Sequence, residues 1–176
     1  GGSRTHTRVF VEFVHNDKNT ARNRQIRFED PGEAADFPRL VVITTRASAS
    51  ASELVINGLE PHIPVTVIGQ PTFGKPVGQY GFNFCDKVFF PVSFKGVNSL
   101  GQGDFFDGLA VDCPAADFLD RPLGNPEEAS LAEALHFLRT GACSSESIAI
   151  APLLAQRRAT TPMLARDGWR RLVNAW

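Results

Sequence analysis

The sequence predicts an α/β fold, a β-α-β unit preceded by an N-terminal hairpin, and three observations lead there. Leu40 to Thr45 (LVVITT) is a short, continuous, β-branched run of the kind that forms a buried strand of a parallel sheet. Glu53 to Glu60 carries Leu54, Val55, Gly58 and Leu59 as a helical stripe, and Pro61 and Pro64 close it. Val65 to Ile68 (VTVI) then reads as a second buried strand. Strand, helix and strand in this order make a right-handed unit with parallel strands.

The other elements follow in chain order. Arg8 to His15 (RVFVEFVH) is rich in Val and Phe and reads as a strand. Asn16-Asp17-Lys18-Asn19 is turn chemistry, and Gln25 to Phe28 is the expected return strand. Asp30 to Pro38 is a loop. Gly69 to Gly81 holds four glycines and two prolines and is expected to be loop or turns. Val88 to Val97 is expected to be one strand, and Asn98 to Gly108 a surface loop. Asn125-Pro126-Glu127-Glu128 supplies a cap, a proline and two acids, so a helix should start there, bury Leu131, Ala134, Leu135 and Leu138, and stop at Gly141. Phe82, Phe84, Phe89, Phe90 and Phe94 are expected in the core, with a share in a groove for apolar groups as the alternative. The domain reading is a core over residues 1–143 and a C-terminal helical extension over 144–176, whose Trp169, Leu172 and Trp176 need a surface to pack on.

Composition narrows the function. The chain has 176 residues, 43% hydrophobic and 21% charged, with a formal net charge of -1. One domain with a real core is expected, and the basic footprint of a nucleic-acid binder is missing. No run of about 18 apolar residues is present, so no membrane span is expected. The opening Gly1-Gly2-Ser3, without Met, is what a fragment would show. Cys85, Cys113 and Cys143 form no CxxC or Cys/His cluster, so neither a metal nor another cofactor is expected. Free thiols, and one disulfide with one thiol left over, both stay open. If a bridge forms, Cys85–Cys113 is the expected pair, because each ends a strand-like segment.

Two segments carry chemistry. Ser48-Ala49-Ser50-Ala51-Ser52-Glu53 lies between a strand and a helix N-terminus. A serine there has an exposed hydroxyl, with backbone N–H groups beside it to hold a developing oxyanion. Taken alone, the run is also a good helix cap and a tight packing surface. Thr72 to Gln79 (TFGKPVGQ) lies beyond the next strand. Parallel strands deliver their C-terminal ends to one sheet edge, where α/β folds place their sites. Lys75 can therefore return to Ser50 although it is 25 positions away. As a base it must be neutral; burial lowers a lysine pKa, and a shift of about three units corresponds to roughly 4 kcal/mol. Gln79 could hold the amine without adding charge. Taken alone, Lys75 also reads as a solvated loop lysine.

Together the segments resemble the C-terminal processing, or tail-specific, serine peptidases, which carry a Ser-Ala-Ser-Ala-Ser-Glu-type segment followed by Thr-aromatic-Gly-Lys with Gln four residues on. The resemblance implies a ClpP/crotonase-like fold, cleavage of peptide bonds near substrate C-termini, and a periplasmic or cell-envelope location. It assigns Ser50 as nucleophile, Lys75 as general base, Gln79 as the orienting residue and the Ala51 N–H as one oxyanion donor. It is strongest from Leu40 to Gln79, and continues through Gly103 to Gly108 and Leu123 to Pro126. The family's upstream Asn-Gly-Gly segment and PDZ domain are not in this sequence; Pro76 stands where many members have Gly, and Gly108 to Asp112 lacks their Pro-Asp. The implied partner is a peptide or protein substrate. A catalytically silent peptide-binding module on the same fold, and an acyl-CoA enzyme of crotonase type, are the alternatives.

The remaining candidates are structural. His6, His15, His62 and His136 are scattered, so a Ser-His-Asp triad is not expected. Glu53 is most simply an acid in a helix first turn, with a role in the site as the minority reading.

Overall fold

A computed structural model describes residues 2–29, 32–118 and 120–160. β1 (Val9–Val14) pairs antiparallel with β2 (Arg24–Arg27), and a short 3-10 stretch, Asp17–Arg22, joins them. β3 (Leu40–Thr44) leads to α1 (Ala51–Leu59) and to β4 (Val65–Gly69), with β3 and β4 parallel in the register Leu40↔Val65 to Thr44↔Gly69. The expected hairpin and β-α-β unit are therefore both present. Only β4 is deeply buried. β3 is the edge strand of a three-stranded parallel sheet, and its Ile43 is 42% exposed.

The stretch after β4 departs from expectation. Val77–Gln79, expected as loop, is strand β5; Phe82–Phe84 and Lys87–Phe89 are β6 and β7. The expected strand over 88–97 is divided at Phe90-Pro91, and only Val92–Val97 continues as β8. β5 gains its conformation from β8, with Val77 opposite Lys95 and Gly78 opposite Phe94. A Cβ on Gly78 would fall 2.1 Å from the Phe94 ring, so the aromatic ring occupies the space a side chain would take. β2, β1, β8 and β5 make one antiparallel sheet in that order; β6 and β7 form a separate hairpin. The core expectation for the phenylalanines is corrected with it. Phe94 packs on Phe13 and Tyr80, but Phe82, Phe84, Phe89 and Phe90 are 47–74% exposed because the hairpin carries them off the sheet.

β9 (Cys113–Pro114) adds to the parallel sheet beside β4. α2 spans Ala129–Thr140, three residues later than the Asn125 cap implies. Asn125 instead closes a turn, its Oδ1 accepting from Glu127 N. Glu128 is the cap, its carboxylate accepting from Ser130 and Leu131 N–H groups. Gly141, φ 75°, ends the helix as expected. α3 follows at Ser145–Thr160; Trp169, Leu172 and Trp176 lie outside the described residues.

The layers meet in two places. α1 lies on β1 through Gly58, where a Cβ would strike the Phe10 ring at 2.5 Å. Ile68, Cys113, Ala115 and Ala134 form the core between the parallel sheet and α2, with Val41 and Phe137 against it. The disulfide is Cys113–Cys143, not the expected Cys85–Cys113. α3 returns over β9, where Ser147 Oγ donates to the Pro114 carbonyl at 2.7 Å, and this brings the two Cα atoms to 5.4 Å. Cys85 sits exposed in the β6–β7 turn. No helix among the described residues is long and apolar enough to cross a membrane.

Candidate active site

The parallel register of β3 and β4 brings the segments after them to one sheet edge, and short bonds stitch them together. Gln70 N donates to Thr44 O at 2.9 Å and Thr44 Oγ1 to Gln70 O at 2.7 Å. Phe73 N donates to Ser48 O at 2.8 Å. The segment Thr45 to Ala49 then turns into α1 through Ser50, whose φ of 57° and ψ of −112° lie outside the regions open to L-residues. Such strain persists only where surroundings enforce it, and it clusters at functional sites.

Glu53 provides the enforcement. It is fully buried, one turn into α1, and its carboxylate accepts four hydrogen bonds. Oε1 takes Thr72 Oγ1 at 2.5 Å and Gly74 N at 2.6 Å; Oε2 takes Ser50 N and Lys75 N, each at 2.8 Å. The amide nitrogens of residues 50 and 75 share one acceptor atom, so they lie within 5.6 Å of each other (twice 2.8 Å). Four donors around one carboxylate compensate its burial. The clamp extends outward: Thr72 Oγ1 accepts from Leu109 N at 2.7 Å, and Gly74, φ 93°, leaves no room for a Cβ, which would meet Phe106 O at 2.2 Å. The later loop is thereby packed on the lysine segment.

The expected residues fall as follows. Ser50 is half-buried at the N-cap of α1, and Ala51 is the first helical residue. N–H groups in a first helical turn have no acceptor within the helix. Lys75 is 8% exposed, so the solvated-lysine alternative does not describe it. Gln79 lies on β5, with Nε2 donating to the Phe90 carbonyl at 2.6 Å. Sequence reasoning gave Glu53 a place in the site only as the minority reading and did not single out Thr72. The signal for Glu53 was present: a Ser with Glu three residues on is capping-box spacing, which aims the carboxylate back at the serine N–H. The partners from Thr72 to Lys75 carried no such local sign. Among the described residues, the one grouping with metal-ligand chemistry is Cys113, Glu133 and Cys143, and its two sulfurs are bonded to each other.

The chain matches the model of peptidase family S41 over residues 5–113, and it belongs to that family. It is 39% identical over 62 residues to a carboxyl-terminal-processing protease of Synechocystis sp., a match covering 35% of this chain and 14% of that protein. Among solved structures it is similar to a putative S41 protease from Bacteroides fragilis, with TM-score 0.67 and 24% identity, covering 78% of this chain and 38% of the other. A lipoprotein from Streptococcus agalactiae shares the fold at TM-score 0.55 and 14% identity, covering 78% of this chain and 46% of its own. The chain thus spans less than half the length of each of these relatives.

Proposed function

We propose that this chain supplies the catalytic core of a serine-type endopeptidase that uses a Ser50–Lys75 dyad and cleaves near polypeptide C-termini. The observation that carries the reading is the single Glu53 oxygen that holds the amides of both residues. In the reaction, the neutral Lys75 amine takes the Ser50 Oγ proton as Oγ attacks the peptide carbonyl. The Ala51 N–H stabilises the resulting oxyanion. The lysine ammonium then gives its proton to the leaving amine, which releases the new N-terminus and leaves an acyl ester on Ser50. Water, deprotonated by the same amine, hydrolyses the ester. Gln79 orients the amine through Oε1, since its Nε2 is committed to Phe90. The Cys113–Cys143 bridge supports an oxidising compartment, and we place the protein in the periplasm or cell envelope.

The test is cleavage of an unstructured polypeptide by the parent protein. Ser50→Ala and Lys75→Ala should each lower kcat by at least about 1,000-fold, with binding of the substrate retained. Turnover that survives either substitution refutes the dyad. Loss of turnover in the unaltered parent, with binding kept, would favour a silent peptide-binding module.

A further inference from the structure

We propose that Cys113, Glu133 and Cys143 form a zinc site that is open in the reduced chain and closed by the disulfide. The two sulfurs and one Glu133 carboxylate oxygen all lie within 4.8 Å of one another. Cys113 is fully buried on β9, and Glu133, on α2, is 6% exposed. Cys143 is half-buried in the short connection between α2 and α3. Two thiolates with a carboxylate are ligands that zinc accepts, whereas calcium and magnesium take oxygen sets. In a tetrahedral site with Zn–S distances of about 2.3 Å, two sulfurs stand roughly 3.8 Å apart. Opening the bridge lets Cys143 turn to that separation, because it sits on a connection while Cys113 is fixed in the core.

The carboxylate is already oriented. Ser144 N donates to Glu133 Oε1 at 2.9 Å and Ser144 Oγ to Oε2 at 2.5 Å. Each oxygen keeps a second lone pair, and hydrogen bonds of this kind aim a ligating carboxylate at its metal. Two thiolates and a carboxylate repel one another, and a divalent cation among them offsets two of the three charges. A cavity of about 530 Å³, lined by Glu133, His136, Arg139 and Ser144, opens beside the group and admits water as a fourth ligand. A dithiol opens the bridge: it is oxidised to its own disulfide while Cys113 and Cys143 take up its two electrons and two protons. Zn²⁺ then binds both sulfurs as thiolates, and those two protons are released. Zinc replaces the bridge as the join between β9 and α3, and oxidation of the thiolates expels it. This inference stands on the β9–α2–α3 corner and is independent of the catalytic reading.

The experiment takes the 176-residue chain, reduces it with a phosphine, strips it with a chelator and titrates it with Zn²⁺ and, separately, with Co²⁺. The reduced chain should bind one Zn²⁺ with a Kd below about 1 μM, gain in melting temperature and, with Co²⁺, show a thiolate-to-metal charge-transfer band. The oxidised chain should do none of these. Cys85→Ser should leave binding unchanged, which separates the site from the exposed thiol. Cys143→Ser and Glu133→Gln should each weaken binding at least about 10-fold, and Glu133→Gln should keep the charge-transfer band at saturating Co²⁺. Should Glu133→Gln melt early in the oxidised form, Glu133→Asp, which keeps the charge and shortens the reach, provides the same comparison. Uptake by the reduced chain no greater than by the oxidised one overturns the proposal. So does binding that survives Cys143→Ser or the Glu133 variants, or binding lost in Cys85→Ser.

Discussion

Ser50 holds a backbone conformation that a side chain disfavours, and this separates the role proposed for it from its structural cost. At φ 57° and ψ −112° the residue is strained by about 1 kcal/mol or more, which glycine would not incur. Ser50→Gly should therefore be more stable than Ser50→Ala by about 1 kcal/mol or more in urea unfolding, since the positive φ adds to the preference for glycine over alanine that an N-cap already shows. An alanine variant of equal or greater stability would show that the turn is relaxed. Glu53 is the counterpart, since its four donors hold that turn in place. Glu53→Gln sets an NH₂ group against at least one of those donors and removes the charge the others bind. The expected loss is about 3 kcal/mol of stability. Peptidase turnover should also fall, and kcat should drop further than KM rises, as the two segments lose their common anchor. Stability unchanged within error would contradict the clamp. The placement of Ser50 between β3 and α1 was legible in the sequence because small residues between a strand and a helix are a local signature. Glu53 was read as an ordinary first-turn acid, because three of its four donors sit 19 to 22 positions away.

At the scale of elements, legibility followed the range of the interactions. β1, β2, β3, α1 and β4 show in the sequence because alternation, β-branched runs and prolines act within a few residues. β5 was read as loop because its strand conformation depends on β8, and on a ring that fits only over Gly78. The start of α2 was misplaced because Asn125 caps a turn instead of the helix. The end of α1 carries a titration that tests its packing. Glu60 closes that helix, and its carboxyl is pushed above the ordinary 4.5, first by partial desolvation and then by the negative charge of Asp112. A carboxylate at a helix C-terminus is also opposed by the helix dipole. A raised folded-state pKa means that the folded chain binds the proton more tightly than the unfolded chain. Glu60 thus supports folding below about pH 4.5 and loses that contribution as pH rises through the folded value. Glu60→Gln should raise Tm at pH 7 to 8 and leave it unchanged below pH 4. A variant that melts lower at neutral pH would show that Glu60 is stabilised in its charged form.

Across the whole molecule, the Cys113–Cys143 bridge joins the parallel sheet to α3 and encloses α2 within its loop. Sequence reasoning favoured Cys85 because both candidate residues end strand-like segments. It had no view of the return of α3 over β9, which sets the pairing. Glu133 reinforces the join, accepting from Ser144 N at 2.9 Å and Ser144 Oγ at 2.5 Å beside Cys143. Closing a loop of 30 residues restricts the unfolded chain by about 3–4 kcal/mol. Cys143→Ser, or a dithiol reductant, should lower Tm by roughly 10 °C. The effect should reach the site, since Leu109 and Asp112, just before Cys113, bond to Thr72 Oγ1 and to Val67 N. If β9 shifts when released, Thr72 loses one partner and the Glu53 clamp loosens, so proteolysis by an added protease should begin within residues 70–76 as well as at α3. Cleavage confined to α3 would show that the bridge fastens only the helix and that the sheet edge stands by itself.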